Sequence, residues 1–114
     1  MTPAEEDRLA LNMALATPEG KAEVQRATEL LDEEIRRSRF NRERAEQVFL
    51  FVIDHCVYRY FKGMGVGSKS AVLFPKQIRE VFAKELCEEY VQSRGGIKDQ
   101  RPVRRGLMAY LLGK

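Results

Sequence analysis

Tryptophan is absent from this 114-residue chain, histidine occurs once and cysteine occurs twice. One histidine and two cysteines, Cys56 and Cys87, are too few for a zinc finger or for the disulfide framework of a small secreted domain. We therefore expect two buried free thiols in a reducing compartment, and no metal or cofactor. The sequence predicts a cytoplasmic protein.

Long apolar runs are also absent. The longest, VFLFVI at residues 48–53, has six residues and is followed by Asp54 and His55. A membrane-spanning helix needs about 20 apolar residues, so this run is far too short. The first ten residues, MTPAEEDRLA, are acidic and lack the basic and apolar regions of a secretory signal. We expect no association with a membrane.

Alternation of apolar and polar residues, the pattern typical of strands, never runs for more than a few residues, whereas helix start and stop signals recur. Thr2–Pro3 and Thr17–Pro18 each combine a capping residue with a proline in the first turn. Asn41 can cap the third helix, and Gly95 and Gly96 can end the fourth in a left-handed turn. These signals predict helices at about 3–16, 18–38, 42–62, 75–93 and 102–112. The fold class predicted is all-α, a single domain over residues 1–114 built as a bundle of about five helices.

The third helix, at about 42–62, differs from the others because apolar and aromatic side chains occupy all its sides. A helix that is apolar all round is typically buried all round. We therefore predict that it is the central helix of the bundle. The residues predicted to face it are Val24, Ala27, Leu30, Leu31 and Ile35 from the second helix, and Ile78, Val81, Phe82, Leu86 and Tyr90 from the fourth.

Residues 63–70, GMGVGSKS, match a phosphate-binding P-loop at three of its four fixed places. The remaining glycine is replaced by Ser68, the preceding segment is a predicted helix and not a strand, and Pro75 would interrupt any helix beginning here. We therefore interpret residues 63–74 as a flexible Gly/Ser link. The alternative is a weaker anion site in which loop N–H groups and Lys69 hold a phosphate.

Asp54, His55 and Cys56 place a carboxylate, an imidazole and a thiol side by side. Adjacent helical residues point about 100° apart, so the three side chains cannot converge on one metal ion. For the same reason His55 cannot act as a base for Cys56. A site of this kind would need another helix, for example through Cys87.

We predict instead that these polar groups are satisfied within their own helix, one turn away. Asp54 would pair with Tyr58, and His55 would lie near Arg59. No set of nucleophile, base and orienting group can be identified, so no catalytic residue is predicted and the chain is not expected to be an enzyme.

Positive charge is concentrated late in the chain: residues 1–40 carry a net charge of −3 and residues 41–114 a net charge of +6. Because basic side chains attract phosphate backbones, the two basic segments at 59–79 and 94–105 predict a nucleic-acid or anion-binding surface. Its residues would be Lys69, Lys76, Arg79, Arg94, Lys98, Arg101, Arg104 and Arg105. The alternative is a solvated face with bases near helix C-termini. Residues 95–101 are predicted to be a basic link.

Both terminal helices carry apolar residues on more than one face, which is typical of a surface for a protein partner or a homo-oligomer. The first helix has Leu9, Leu11, Met13 and Leu15, and the last has Leu107, Met108, Tyr110 and Leu111. The alternative is that these helices simply cover the central one. We predict a non-enzymatic accessory or adaptor protein that acts by protein–protein contact within a larger assembly. Nucleic-acid binding through the basic segments is the alternative function.

Overall fold

The computed structural model describes residues 2–63 and 76–100. These residues form four helices and no strand: α1 (Pro3–Ala16), α2 (Pro18–Arg36), α3 (Arg42–Gly63) and α4 (Lys76–Ser93). The predicted all-α class is confirmed. Four helices are described where about five were predicted for the whole chain, and the predicted fifth, at 102–112, lies outside the described residues, as does the link after Gly63. Within the described ranges, every helix falls short of the apolar length that a bilayer crossing requires.

Three helices begin at the capping residues that the sequence predicts. Thr2 and Thr17 each accept a hydrogen bond from the backbone N–H three residues ahead, at 3.2 and 3.0 Å. Asn41 does the same at the start of α3, at 3.1 Å. The first N–H groups of a helix have no partner within the helix, so these side chains fix where each helix starts.

Two helices end in the same left-handed turn. After α4, Gly95 and Gly96 adopt φ values of +83° and +79°, and the Gly96 N–H donates to the carbonyl of Val91 at 2.9 Å. After α2, Ser38 takes this role with φ of +57°. Glycine favours this region because it lacks a Cβ, so the predicted stop at Gly95 and Gly96 is confirmed, whereas Ser38 carries strain.

The bundle is organised around α3, which packs against each of the other three helices, while α1 also contacts α2 and α4. Burial of apolar side chains from all four helices supplies the main favourable free energy of folding. The largest fully buried side chains are Leu11, Leu31, Phe40, Phe49, Ile53 and Cys87.

One side of α3 faces solvent, which corrects the prediction that this helix is buried all round. Phe51 is 72% exposed and Tyr58 is also exposed. Three neighbouring helices cover only part of a helix's circumference, so the remaining face stays open in the described part of the chain. Leu30 and Val81 were also predicted to face the core and are exposed, because each lies at the edge of an apolar stripe that is wider than the buried face.

The segment after α4 folds back onto the corner between α2 and α3. Gln100 donates its N–H to the Phe40 carbonyl at 2.8 Å and accepts from the Phe40 N–H through its side-chain oxygen at 3.0 Å. Asp99 accepts from the Arg42 N–H at 2.7 Å and so adds a second cap to α3. Residues 95–100 of the predicted basic link therefore hold the corner of the bundle together.

Candidate binding groove between α2 and α3

An apolar groove of about 610 Å³ lies between α2 and α3. Its residues recur at intervals of three and four along each helix, so they share one face of each. We call it the α2–α3 groove. It is lined by Glu23, Arg26, Ala27 and Leu30 from α2, and by Arg44, Gln47, Val48, Phe51, Val52 and His55 from α3.

Two large apolar side chains of the α2–α3 groove remain in solvent. Phe51 projects from the middle of α3, and Leu30, which is 47% exposed, lines the same groove from α2. Ala27 and Val52 are buried in the same groove. Single exposed apolar residues are ordinary, but adjacent ones in a groove with a polar rim are typical of interaction sites.

Two contacts fix how α2 and α3 align along the α2–α3 groove. Glu23 meets Cys56 at one end, and Glu34 pairs with Arg44 at 2.7 Å at the other. The helices are therefore antiparallel, and this register puts Ala27 level with Phe51. A small side chain beside a large exposed one leaves a hollow in the middle of the groove.

A buried carboxylate, Glu23, closes one end of the groove. Its Oε1 lies 2.7 Å from His55 Nδ1 and 3.4 Å from an Arg59 nitrogen. Its Oε2 accepts a hydrogen bond from the Cys56 thiol at 3.2 Å. Beyond Glu23 lies a second cavity of about 470 Å³, which Glu23, Cys56, Arg59 and Tyr60 also line. Glu23 thus forms part of the wall of both cavities.

The thiols in this fold are poor nucleophiles. Burial, followed by the hydrogen bond to Glu23 and its negative charge, raises the pKa of Cys56 to about 12. Burial also raises the pKa of Cys87. Because the thiolate is the reactive form, both thiols stay protonated and inert near neutral pH. The prediction of two buried free thiols is confirmed.

The hydrogen-bond partners of Asp54 and His55 lie on other helices, which corrects the predicted pair of Asp54 with Tyr58. His55 does lie near Arg59, because both approach the same oxygen of Glu23. Asp54 accepts from Arg79 of α4 at 2.5 Å, and His55 contacts Glu23 of α2. Both residues sit at the edges of α3, where a neighbouring helix brings a hydrogen-bonding partner within reach. Among the residues that the structure describes, no three His, Cys, Asp or Glu side chains are placed to hold a metal ion.

Two arginines of the predicted nucleic-acid surface are committed to ion pairs between helices. Arg79 joins α4 to α3 through Asp54, and its side chain is only 19% exposed. Arg94 makes two hydrogen bonds to Asp32 of α2, at 2.8 and 2.9 Å, and its guanidinium lies 4.8 Å from the centre of the Tyr90 ring. Their charges are balanced by carboxylates, so they hold helices together.

The structure places only part of the remaining predicted site. Lys76 is exposed and pairs with Glu80 on its own helix at 3.6 Å, and Lys98 is exposed. The two lysines lie at opposite ends of α4 and are not brought together. The other predicted residues lie outside the described part of the chain: Lys69, Arg101, Arg104 and Arg105 of the basic surface, and Leu107, Met108, Tyr110 and Leu111 of the partner surface.

The prediction that α1 spreads its apolar residues over more than one face is confirmed. Leu11 is fully buried, whereas Leu9 and Met13 are half-exposed. Residues four apart lie on one side of a helix, so Leu9 and Met13 form a short apolar stripe on the outside of α1.

The α2–α3 groove was not predicted, although one signal for it exists in the sequence. Polar residues flank Phe51 on its own face of α3: Arg44 and Gln47 before it, and His55 after it. A face that carries charged and amide side chains one and two turns from an aromatic residue is typical of a helix surface in contact with water. The apolar residues on the other faces obscured this pattern.

The Asp32 interactions predict an acid-dependent contribution to stability. Hydrogen bonds from Arg94, and also from Tyr90, hold the pKa of Asp32 below its usual value. The contribution is therefore present above the unfolded-state pKa and is lost as the pH falls through the lower folded-state pKa. Because Asp32 is partly exposed, Asp32→Asn should cost less than about 1 kcal/mol near neutral pH.

Melting temperatures of wild type and Asp32→Asn, measured from neutral to acid pH, check this expectation. The difference between them should shrink as Asp32 becomes protonated in the wild type. Glu29→Gln on the same helix is the control, since the Glu29 carboxylate accepts a 3.3 Å hydrogen bond from the neutral amide of Gln25, and its difference from wild type should not vary in this way. A pH-independent difference for Asp32→Asn would contradict the expectation that the ionised Asp32 carboxylate stabilises the fold.

No family model, curated protein or solved structure matches this chain. Family membership therefore gives no argument about function. The geometry of the described residues, above all of the α2–α3 groove, is the basis for inferring a function.

Proposed function

We propose that this chain is a small, non-enzymatic accessory or adaptor protein that acts by protein–protein contact, and that the α2–α3 groove is its contact surface. The observation that carries the proposal is Phe51, an aromatic side chain exposed in the middle of the central helix. Aromatic residues are enriched among the side chains that dominate binding energy, and such residues cluster near the centre of an interface.

The energetics of the groove favour an occupant. Burying a phenylalanine or a leucine side chain contributes about 1.5–3 kcal/mol relative to leaving it in water. One helix packed between α2 and α3 would bury both Phe51 and Leu30. The polar rim formed by Arg26 and Gln47 would remain exposed to solvent. This division into apolar centre and polar edge is typical of protein interfaces, and an apolar groove commonly takes a helix.

The chemistry beside the groove supports a binding function over a catalytic one. The Cys56 thiol is protonated, and the Glu23 carboxylate is occupied by Cys56, His55 and Arg59. A nucleophile needs a base within hydrogen-bond reach, but here the imidazole and the thiol both bond to the same carboxylate. The arrangement is suited to fixing α2 against α3.

Nucleic-acid binding is the alternative, and the basic segments in the sequence support it. The described residues of this basic surface provide little free positive charge. Arg79 and Arg94 would have to give up their ion pairs with Asp54 and Asp32 before they could bind phosphates. Exchange of one buried or half-buried ion pair for another gives little net free energy. Protein contact through the groove is therefore the preferred proposal.

Site-specific photo-crosslinking in the cells that produce this protein tests the proposal. A photoreactive residue in place of Gln47, at the groove rim, should give covalent adducts with protein. The same residue in place of Lys84, exposed on α4, serves as the matched control and should not give these adducts. Adding Phe51→Asp to the Gln47 variant should abolish them.

Two results would overturn the proposal. One is the absence of protein adducts at position 47, or adducts that persist with Phe51→Asp. The other is adducts that disappear on nuclease treatment, which would favour the nucleic-acid alternative instead.

A further inference from the structure

We propose that the partner that covers the α2–α3 groove is a second copy of this chain. In this dimer the two α3 helices pack antiparallel, and the two Phe51 side chains meet at the two-fold axis. The inference rests on the proposed function of the groove as a protein-contact surface, and it names the partner. A two-fold interface uses the same patch on both copies, so the patch has to be complementary to itself.

The exposed face of α3 meets this condition about Phe51. Arg44 lies seven residues before Phe51 and Tyr58 lies seven after it, which is two helical turns in each direction. In an antiparallel pair centred on Phe51, Arg44 of one copy therefore lies over Tyr58 of the other. An arginine over a tyrosine ring is a favourable cation–π contact. Arg44 stays 61% exposed while it bonds to Glu34, and Lys62 lies 5.8 Å from the centre of the Tyr58 ring. The partner's Arg44 would therefore stack on the face of the ring that Lys62 leaves open.

The next pair of positions is also complementary. Gln47 lies four residues before Phe51 and His55 four after it, one turn away in each direction. The antiparallel arrangement brings the amide of one copy to the imidazole of the other, and these groups can exchange a hydrogen bond. Each face would form two such pairs by symmetry, one on either side of the axis.

The parallel arrangement is less complementary. It would place Arg44 of one copy against Arg44 of the other, so neither cation–π contact with Tyr58 would form. It would also align the two helix dipoles, whereas antiparallel helices place the positive end of each beside the negative end of the other. Complementarity therefore selects one orientation of the partner.

The α2 side of the groove gives the partner's Phe51 a place to lie. Ala27 is level with Phe51 and has a small side chain, so the hollow above it can accept the edge of a ring in an offset stack. Leu30 and Arg26 lie on either side of Ala27 along α2. The two-fold operation brings Leu30 of one copy near the aliphatic stem of Arg26 of the other, a contact that keeps the guanidinium in water.

Sedimentation equilibrium of the full chain tests the dimer. Wild type should sediment as a dimer that dissociates on dilution, and Phe51→Asp should raise the dissociation constant at least about 100-fold, because each copy would place a carboxylate at the apolar axis. Val81→Asp, at an exposed apolar position on α4 outside the groove, should leave it unchanged. Circular dichroism should show that both variants keep their helix content.

Engineered cysteines test the orientation. A mixture of Arg44→Cys and Tyr58→Cys chains should form a disulfide between unlike chains under mild oxidation, whereas neither variant alone should form a disulfide between like chains. The native Cys56 and Cys87 are buried and do not compete. Disulfides between two Arg44→Cys chains would show a parallel arrangement and overturn the inference.

A wild-type chain that remains monomeric at high concentration would also overturn the inference. The proposed function does not depend on the dimer. It would still hold if the crosslinker at position 47 joined the chain to a different protein and Phe51→Asp abolished that adduct. Adducts with twice the mass of the chain, lost with Phe51→Asp, would support both.

Discussion

Phe49→Ala should lower the free energy of unfolding by about 3–5 kcal/mol, whereas Phe51→Ala, two residues further along the same helix, should change it by less than about 0.5 kcal/mol. Phe49 is 1% exposed and its ring lies 6.1 Å from that of Tyr90, while Phe51 is 72% exposed. The first change leaves a cavity in the core, and the second removes a side chain that water already surrounds.

Chemical denaturation of both variants measures these two changes in the free energy of unfolding. The protein concentration must be low enough for the chain to be monomeric. The two substitutions match in residue type, in helix and in atoms removed, so helix propensity cancels in the comparison. A large loss for Phe51→Ala under these conditions would mean that Phe51 belongs to the core of the single chain. The groove would then not be an open surface.

Gly20→Ala should destabilise the protein by about 1–3 kcal/mol, although glycine to alanine within a helix ordinarily stabilises by about 1 kcal/mol. Gly20 is buried in the first turn of α2. A Cβ placed on it would lie 2.6 Å from the Ala14 carbonyl oxygen and 2.8 Å from that of Leu15. These are backbone atoms, so the end of α1 and the start of α2 would have to move apart.

Urea denaturation of Gly20→Ala measures this loss. Glu19→Ala, at an exposed position in the same turn, is the control and should shift stability by less than about 0.5 kcal/mol. A Gly20→Ala variant that is more stable than wild type would show that the two helix ends do not approach this closely. Since Glu23 lies one turn further along α2, the same variant should also disturb the bonds from Glu23 to His55 and Cys56.

Local signals in the sequence were sufficient to predict where the described helices begin and end. Thr2, Thr17 and Asn41 cap their helices, and Gly95 and Gly96 end α4, as their residue types predict. Each of these features depends on contacts within a few residues along the chain. Their physical cause is visible in the sequence itself.

Contacts between helices could not be predicted in this way. Arg94 with Asp32, and Arg79 with Asp54, join residues that are 62 and 25 positions apart. Nothing local marks which carboxylate an arginine will meet, so both arginines were predicted to be available to phosphates. The pairing depends on how α2, α3 and α4 pack.

The exposure of Phe51 was missed for a related reason. An apolar stripe predicts that a helix has a face to bury, but the number of neighbouring helices decides how much of the stripe is covered. Among the described residues three helices surround α3, and they leave the Phe51 side open. The candidate site is thus a product of the packing geometry, with only the polar neighbours of Phe51 as a hint in the sequence.

The hydrogen bonds between Gln100 and Phe40 determine where the chain can be shortened. A fragment cut at Ser93, the last residue of α4, would lose these two bonds and the cap that Asp99 gives to Arg42. Any truncated version that keeps this corner closed has to extend through Gln100. A reporter fused directly after Gln100 would emerge beside the start of α3, near the Arg44 end of the groove, so labels for binding experiments belong at the other terminus.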